Sequence, residues 1–458
     1  MRKIVVCVRQ GLDGTISPFD ASAYEAALRL NDAEVTLLSM APVAAKDFLL
    51  GLTRLGAKRA VLLNDRAFIG SDTLATAYAL SLAIKKIGAD LVLCGRQTLI
   101  GDTGQTGAML AAFLDVPCVT GVMSMEENSD GSLHVFTRNE GTLDVRTPAL
   151  LCVEKSYTLR LPRLRSQMGE LEILSAADIG ADPARCGLIG SPTRVIQSFE
   201  NQSGKRKCEF ISRDRLDEVI AASLQKISDR TAAMSQSEER LAHVCIVGEA
   251  PRSFAASVCE NVSVIPLGDA ETIIREITAR DPDAVLWGTD DRSKRLAATA
   301  AARLGLGLCA DCTSLGCEDG ELMMYRPALS GSVIAKIKST TRPAMATVRT
   351  ESRTERDVVV SVGFGVKDRL VEVESFAEAI GAQMCASRKL VDHGYAPYER
   401  QVGLTGRTVS PLVYVAIGIS GAVHHIAGMQ RAGTVIAINP DKQAPIFEYA
   451  DYGIVEEF

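Results

Sequence analysis

The string ADLVLCG at 89–95 has a counterpart, PDAVLWG, at 282–288. Each leads into a helix pattern, ending AAFLDVPCVT (111–120) or AARLGLGLCA (301–310). A third matching pair follows, TPALLCVEKS (147–156) and RPAMATVRTE (342–351). The offsets are 193, 190 and 195 residues, so order and spacing are both kept. A period this long lies far beyond that of a solenoid. It predicts two copies of one α/β domain, joined by duplication or fusion.

Short apolar strands alternate with helix patterns nearly throughout. KIVVCV (3–8), EVTLLSM (34–40) and ADLVLCG (89–95) read as buried strands, with ASAYEAALRL (21–30) and TLATAYALSLAIKKIG (73–88) as amphipathic helices. Such alternation builds βαβ units on a parallel sheet. Aromatic residues make up 5% of the chain and Trp287 is the single tryptophan, so the cores must be built from Ala, Val, Leu and Ile, as helix-covered parallel sheets are. At 458 residues there is material for about three domains. A stretch rich in Ser, Gln, Lys, Arg and Glu from about 197 to 239 reads as an exposed arm and linker. A further unit starts near Val358 with VVVSVGFGVKD.

Several function classes are excluded. Net charge is −6 and no basic patch stands out, so nucleic acid is not an expected partner. No apolar run approaches the ~18 residues of a membrane span, so an integral membrane protein is not expected. MRKIVVCVRQ has too short an apolar run for a signal-peptide core, which points to the cytoplasm. Twelve cysteines then read as reduced thiols, mostly buried as small hydrophobes. Cys309, Cys312 and Cys317 cluster in LCADCTSLGC, but no second C-x-x-C supplies a fourth ligand, so no metal is assigned. No nucleophile elbow, Walker loop or metal constellation suggests a hydrolase or transferase, and no catalytic residue is assigned.

The last hundred residues carry the strongest local signals. The strands VVVSV (358–362), QMCASR (383–388), PLVYVAI (411–417) and GTVIAIN (433–439) all end in glycine or polar residues. Open parallel sheets bind ligands beyond the carboxyl ends of their strands. In PLVYVAIGISGAVHHIAGM (411–429), Gly418 permits a tight turn, Ser420 stands where an N-cap belongs, and Gly421 permits close backbone approach. A short helix from Ala422 to Met429 would offer its N-terminus to an anion, most naturally a pyrophosphate. His424 and His425 lie in its first turns and cannot both face the core, since neighbours on a helix differ by about 100°.

These residues resemble the electron-transfer flavoprotein family. SRKLVDHG, QVGLTG, YVAIGISGAVHHIAGM and VIAINPDKQAPIFEYADYGIV, with ADCTSL and RPAMATVR upstream, are similar to its large (alpha) subunit. SPFDASAYEAALRL, LLNDRAFIGSDTLATAYALSLAI and GRQTLIGDTGQTGAMLAAFLDVP are similar to its small (beta) subunit. The chain thus looks like beta and alpha fused. The resemblance implies a beta-like nucleotide-binding domain with a C-terminal arm (1–196), a linker (197–240), an alpha N-terminal-like domain (241–354) and an FAD-binding domain (355–458). The first and third of these would be related adenine-nucleotide-hydrolase-like (Rossmann-like) parallel-sheet domains, and the last doubly wound.

The resemblance also implies roles. FAD would sit non-covalently in 355–458, with Ser387 and Arg388 beside the flavin and Val402, Gly403, Leu404 and Thr405 wrapped round its ring. Thr405 would bond flavin N5. Ser420, Gly421, Ala422, Val423, His424 and His425 would hold the pyrophosphate and pyrimidine edge, with His425 near the C2 carbonyl. Asn439 and Glu457 would lie on the adenosine side. A second nucleotide, AMP or another FAD, would sit at Asp102, Thr103, Gly104, Gln105, Thr106 and Gly107. Where the family carries an arginine between two glycines, this chain has Phe364, which should alter the flavin's potential; Leu404 and His424 stand where glutamine is usual, and Glu457 replaces an aspartate.

The implied function is an electron carrier in the cytoplasm. It would run from a flavin dehydrogenase, such as an acyl-CoA dehydrogenase of fatty acid β-oxidation, to a quinone reductase, ferredoxin or flavodoxin. The flavin domain would swivel on a linker near 351–356. An electron-bifurcating, NADH-oxidising enzyme with two FAD, and a non-redox nucleotide-binding protein, are the alternatives.

Overall fold

The computed structural model describes the whole chain except residues 12–13, 99–102, 139, 201–205, 231–238, 313, 329–332, 349–357, 404–405, 408, 410 and 431. Its contacts divide it into two compact units. One joins Met1–Ser198, Ser237–Leu329 and Ala335–Thr350; the other joins Phe199–Gln236, Ser330–Ile334 and Glu351–Phe458.

The first unit contains the duplication. Its nine-stranded sheet runs in the order Gly141–Val145, Leu133–Thr137, Cys118–Glu127, Ala149–Val153, Leu91–Gly95, Arg2–Cys7, Ala33–Met40, Arg59–Leu63, Glu170–Leu174. A five-stranded parallel sheet runs Leu308–Cys312, Ala344–Val348, Ala284–Trp287, Val244–Val247, Val262–Ile265. The five strands from Cys118–Glu127 to Ala33–Met40 follow the same order as the five of the smaller sheet. The sequence repeat is therefore a repeat of topology. Strands such as Leu91–Gly95 and Ala284–Trp287 are apolar along nearly their whole length because helices cover both faces.

Helix boundaries follow local chemistry. Helix Thr73–Ile87 starts where the Asp72 carboxylate accepts the backbone N–H groups of Leu74 and Ala75 at 2.9 and 3.0 Å. It stops at Gly88, which takes the left-handed conformation. Helix Asp291–Leu304 starts at Asp290, which accepts the Ser293 N–H at 2.9 Å, and stops at left-handed Gly305.

The two copies are held together by helices Thr106–Leu114 and Asp291–Leu304, which pack against each other. Ala108 and Ala111 on one, and Ala297, Ala298, Ala300 and Ala301 on the other, are buried in one continuous core that spans both sheets. Small side chains let helix axes come close, so each helix serves its own sheet and its partner at once. Ion pairs frame the contact: Arg295 with Glu140 at 2.9 Å and Arg138 with Asp291 at 3.8 Å.

The second unit is a seven-stranded parallel sheet in the order Glu209–Phe210, Tyr452–Ile454, Thr434–Ile438, Val413–Ile417, Val358–Val362, Gln383–Ser387, Gln401–Val402. Its edge strand Glu209–Phe210 comes from the stretch read as exposed arm and linker, 197–240. Helix Leu216–Arg230 follows, and Ile211, Leu216, Val219 and Ile220 are buried in this unit's core. The polar composition of that stretch hid a narrow apolar stripe at helical spacing. The proposed swivel at 351–356 lies outside the described residues.

Ala298→Leu, which adds bulk to a fully buried helix face, should destabilise the first unit by about 1–3 kcal/mol. Urea unfolding of the variant beside the parent measures this.

Candidate functional site

Strand order in the second unit reverses at Val358–Val362. The chain moves to Gln383–Ser387 on one side and later returns to Val413–Ile417 on the other. The crevice beyond the carboxyl ends at such a switch point is where open parallel sheets take their ligands. Gly363 and Gly418 follow the two switch strands and lie against each other: the Gly363 N–H donates to Ile417 O at 2.8 Å. A Cβ on Gly363 would overlap the Gly418 carbonyl, and one on Gly421 would overlap the Ile446 backbone. Gly418 (φ +64) and Gly421 (φ +92) also need a backbone that side chains disfavour.

The turn between them differs from the sequence expectation. The helix is Val423–Met429 and its N-cap position is Ala422, with no side-chain cap. Ser420 is therefore not the cap. It is exposed, and its carbonyl accepts the Ile446 N–H at 3.1 Å. The pinned backbone of Gly421 carries the chain past Ser420 in an extended turn, so helical geometry begins later. Asn439 braces this turn from the next strand: its Nδ2 donates to Ile419 O at 3.0 Å and its Oδ1 accepts the Asp441 N–H at 2.9 Å. Gly403 packs against the helix start, since a Cβ there would lie 2.8 Å from His424 O, and buried Val402 precedes it. Leu404 and Thr405 lie outside the described residues.

The two histidines part company. Ala422, Val423 and His424 are exposed, whereas His425 is buried. His425 Nε2 and the Tyr414 hydroxyl share a hydrogen bond of 2.9 Å, while Nδ1 is buried without a partner. Burial pulls the imidazole down to about 4, so the ring is neutral near pH 7. Tyr414 was not singled out from sequence; its only signal is a polar tip inside a strand that is otherwise apolar.

On the other side of the crevice, Ser387 closes its strand with Oγ buried and unpartnered. Arg388 pairs with Asp392 at 3.2 Å. Phe364 stacks on His393 with centroids 4.7 Å apart, and Lys389 Nζ lies 4.6 Å from the Phe364 ring centroid. Phe364 thus gathers a lysine by cation–π attraction. Glu457 is exposed and pairs with Arg369 at 3.7 Å.

In the first unit, Gln105 precedes helix Thr106–Leu114. Its side chain is buried with both amide atoms unpartnered. Thr103, Gly104 (φ +62) and Thr106 around it are half-buried, and Asp102 lies outside the described residues. Gly107 lets the helix sit on the sheet, since a Cβ there would overlap the Cys152 sulfur. Nearby, Asp20 accepts the Arg9 N–H at 2.9 Å; burial pushes its carboxyl up to about 7 against the backbone N–H groups of Arg9 and Gly95. At the corresponding strand end of the duplicated half the side chain is larger. There Trp287, fully buried, stands where the first half has Cys94. No group of three or more metal-binding side chains is assembled among the described residues.

Comparison with known proteins decides the family. The electron transfer flavoprotein domain matches residues 4–179 and again 232–363, and the electron transfer flavoprotein FAD-binding domain matches 353–430. The chain belongs to the electron transfer flavoprotein family. Among its relatives, the beta subunit of Thermoanaerobacterium thermosaccharolyticum is 41% identical over 41% of this chain and 77% of its own length. The alpha subunit of the same organism is 36% identical over 41% of this chain and 71% of its own length. Subunit CarD of the caffeyl-CoA reductase-Etf complex of Acetobacterium woodii is 36% identical over 49% of this chain and 89% of its own length. One chain thus carries both the beta and the alpha parts of this family, and the FAD-binding match supports FAD as its cofactor. The described residues fit such a group: a glycine-lined crossing, with orphaned buried polar atoms at Ser387 and His425. No described helix is long and apolar enough to cross a membrane.

His425 gives a pH test. Its folded value lies below the ordinary 6.5, so the unfolded chain takes the proton first. Stability is complete above about pH 6.5 and falls as pH drops through 4, by on the order of 3 kcal/mol. Urea unfolding of the second unit at a series of pH values should show this slope, and His425→Gln should flatten it.

Proposed function

We propose that the chain carries electrons on a non-covalent FAD held in 355–458, from a flavin dehydrogenase to a second redox partner. The observation that carries this reading is the carboxyl edge of the second sheet. The Gly363–Gly418 crossing lies there and Ser387 closes its strand there with an orphaned Oγ, within a stretch matching an FAD-binding domain. FAD supplies one- and two-electron chemistry. The backbone from Ser420 to His425 would hold the pyrophosphate, and Ser387, Arg388 and 402–405 would flank the ring. Arg388 and Lys389 would favour added negative charge there. Asn439 acts on the adenosine side by bracing the Ile419 carbonyl.

A second adenine nucleotide, which we read as AMP, would bind at Thr103–Gly107. Its support is the buried Gln105 amide, which lacks every partner it could have. For the donor, the relative named as part of a caffeyl-CoA reductase complex favours a dehydrogenase acting on acyl-CoA thioesters. The acceptor would be a quinone reductase, ferredoxin or flavodoxin. Twelve free thiols suit the reducing cytoplasm.

The segment after strand Ala149–Val153 offers a docking surface. Arg160 clamps its base with paired bonds to Glu25 at 2.9 and 3.0 Å. Burial alone would raise Glu25, but bonds from Arg160 and Arg29 outweigh it and hold the carboxyl below its usual range. Beyond the clamp, Leu161 and Leu164 are 86% and 99% exposed among arginines 163 and 165. Apolar side chains held out on an anchored arm suit insertion into a partner's pocket.

Denatured protein should release one FAD and one AMP per chain, and Gly363→Ala should lose the FAD and keep the AMP. Two FAD per chain with bleaching by NADH would replace the carrier with a bifurcating enzyme, and a colourless chain that takes up no FAD would end the proposal. Leu164→Ala should raise the KM for the partner dehydrogenase about tenfold, with flavin content unchanged.

A further inference from the structure

Tyr414 lies on the central strand Val413–Ile417, which pairs with Val358–Val362 on one side and Thr434–Ile438 on the other. Its register partners are Val359 and Val435, and all three residues are fully buried. The tyrosine packs in the core that also holds Ile426 and Met429 of helix Val423–Met429. A phenol held by a close-packed sheet thus presents its hydroxyl to that helix at a fixed place. The hydroxyl meets His425 Nε2 at 2.9 Å. The other ring nitrogen, Nδ1, is buried and makes no hydrogen bond. The start of this helix lies against the 402–403 segment: a Cβ on Gly403 would stand 2.8 Å from His424 O and 3.6 Å from His425 Cα.

The bond to Tyr414 decides where the ring's proton sits. Near pH 7 His425 is neutral, because burial pulls its value down to about 4. A neutral imidazole carries one N–H and one bare nitrogen. Burial also holds the Tyr414 phenol well above its usual range, so the phenol keeps its proton. A bare imidazole nitrogen takes up a proton at about pH 6.5, and a phenol oxygen is a far weaker base. The better-matched bond therefore runs from the Tyr414 O–H to Nε2. The single ring proton is then on Nδ1. The Val402 carbonyl also favours a proton on this ring. Nδ1–H is left as a buried donor without a partner, a costly state that a ligand's acceptor would relieve.

We propose that Tyr414 is a positioning residue: its hydroxyl locks His425 in the Nδ1–H tautomer, so that the ring offers a neutral hydrogen-bond donor to a carbonyl of the FAD ring system. This rests on the reading of residues 355–458 as an FAD site. A neutral N–H serves the carbonyl in either redox state and holds it harder once negative charge gathers there. With the opposite tautomer a bare nitrogen would face the carbonyl, acceptor against acceptor. Tyr414 acts through His425, and its place on the central strand makes the choice of tautomer a property of the fold.

The test uses the full chain carrying isotope-labelled histidine, as purified and after removal of its flavin. Nitrogen NMR distinguishes a protonated ring nitrogen from a bare one, and the signals lost in His425→Leu identify His425 among the five histidines. Both samples should show Nδ1 protonated and Nε2 bare. Tyr414→Phe keeps the ring and drops the hydroxyl, and in the flavin-free chain it should let the proton return to Nε2. Reduced FAD should then lose about tenfold in affinity relative to oxidised FAD, which lowers the two-electron midpoint potential by about 30 mV. In a His425→Leu background, Tyr414→Phe should leave that potential unchanged. The proposal is overturned if Nε2 carries the proton in the parent chain, or if Tyr414→Phe leaves either the flavin-free tautomer or the potential where it was. It is equally overturned if the potential shifts as much without His425 as with it. A chain that takes up no FAD ends the carrier reading instead, and the nitrogen signals still decide whether Tyr414 sets the tautomer.

Discussion

Two helices meeting through alanines hold the first unit together. Helix Asp291–Leu304 buries Ala297, Ala298, Ala300 and Ala301, and helix Thr106–Leu114 meets it with Ala108 and Ala111. The contact face must be narrow, or the two sheets the helices serve would be pushed apart. That constraint explains how the two copies share a core that spans both sheets of the first unit. It also explains the low aromatic content read from the sequence.

Duplication left the copies unequal, and the inequality is chemical. At matching register positions one copy carries Cys7, Cys94 and Cys152, the other Val247, Trp287 and Thr347. The indole of Trp287 is fully buried where the first half has the smaller Cys94. The copy with the small residue also carries the buried, partnerless Gln105.

Much of this was legible in the chain. Periodicity and repeat spacing pointed to parallel-sheet domains in two copies, because burial on two faces demands continuous apolar runs. Glycines 363, 418 and 421 could be read as a ligand turn because only close approach or positive φ calls for them there. The cap at Ser420 was misread, since the contact that displaces the helix start is made by Ile446, far along the sequence. The helix at Leu216–Arg230 was missed because its apolar stripe is narrow and its surroundings are polar. Tyr414 was invisible as a partner because pairing with His425 depends on how a helix leans on a strand.

The sequence by itself determined the fold class, the duplication, the family and the end of the sheet where chemistry gathers, since these follow from local pattern and residue type. Only the tertiary structure decided which histidine is buried and neutral, which lysine covers Phe364, and which cysteines stand in register. Those outcomes depend on distances between segments remote in the chain. Strand register and helix packing set these distances, and no single stretch of sequence encodes them.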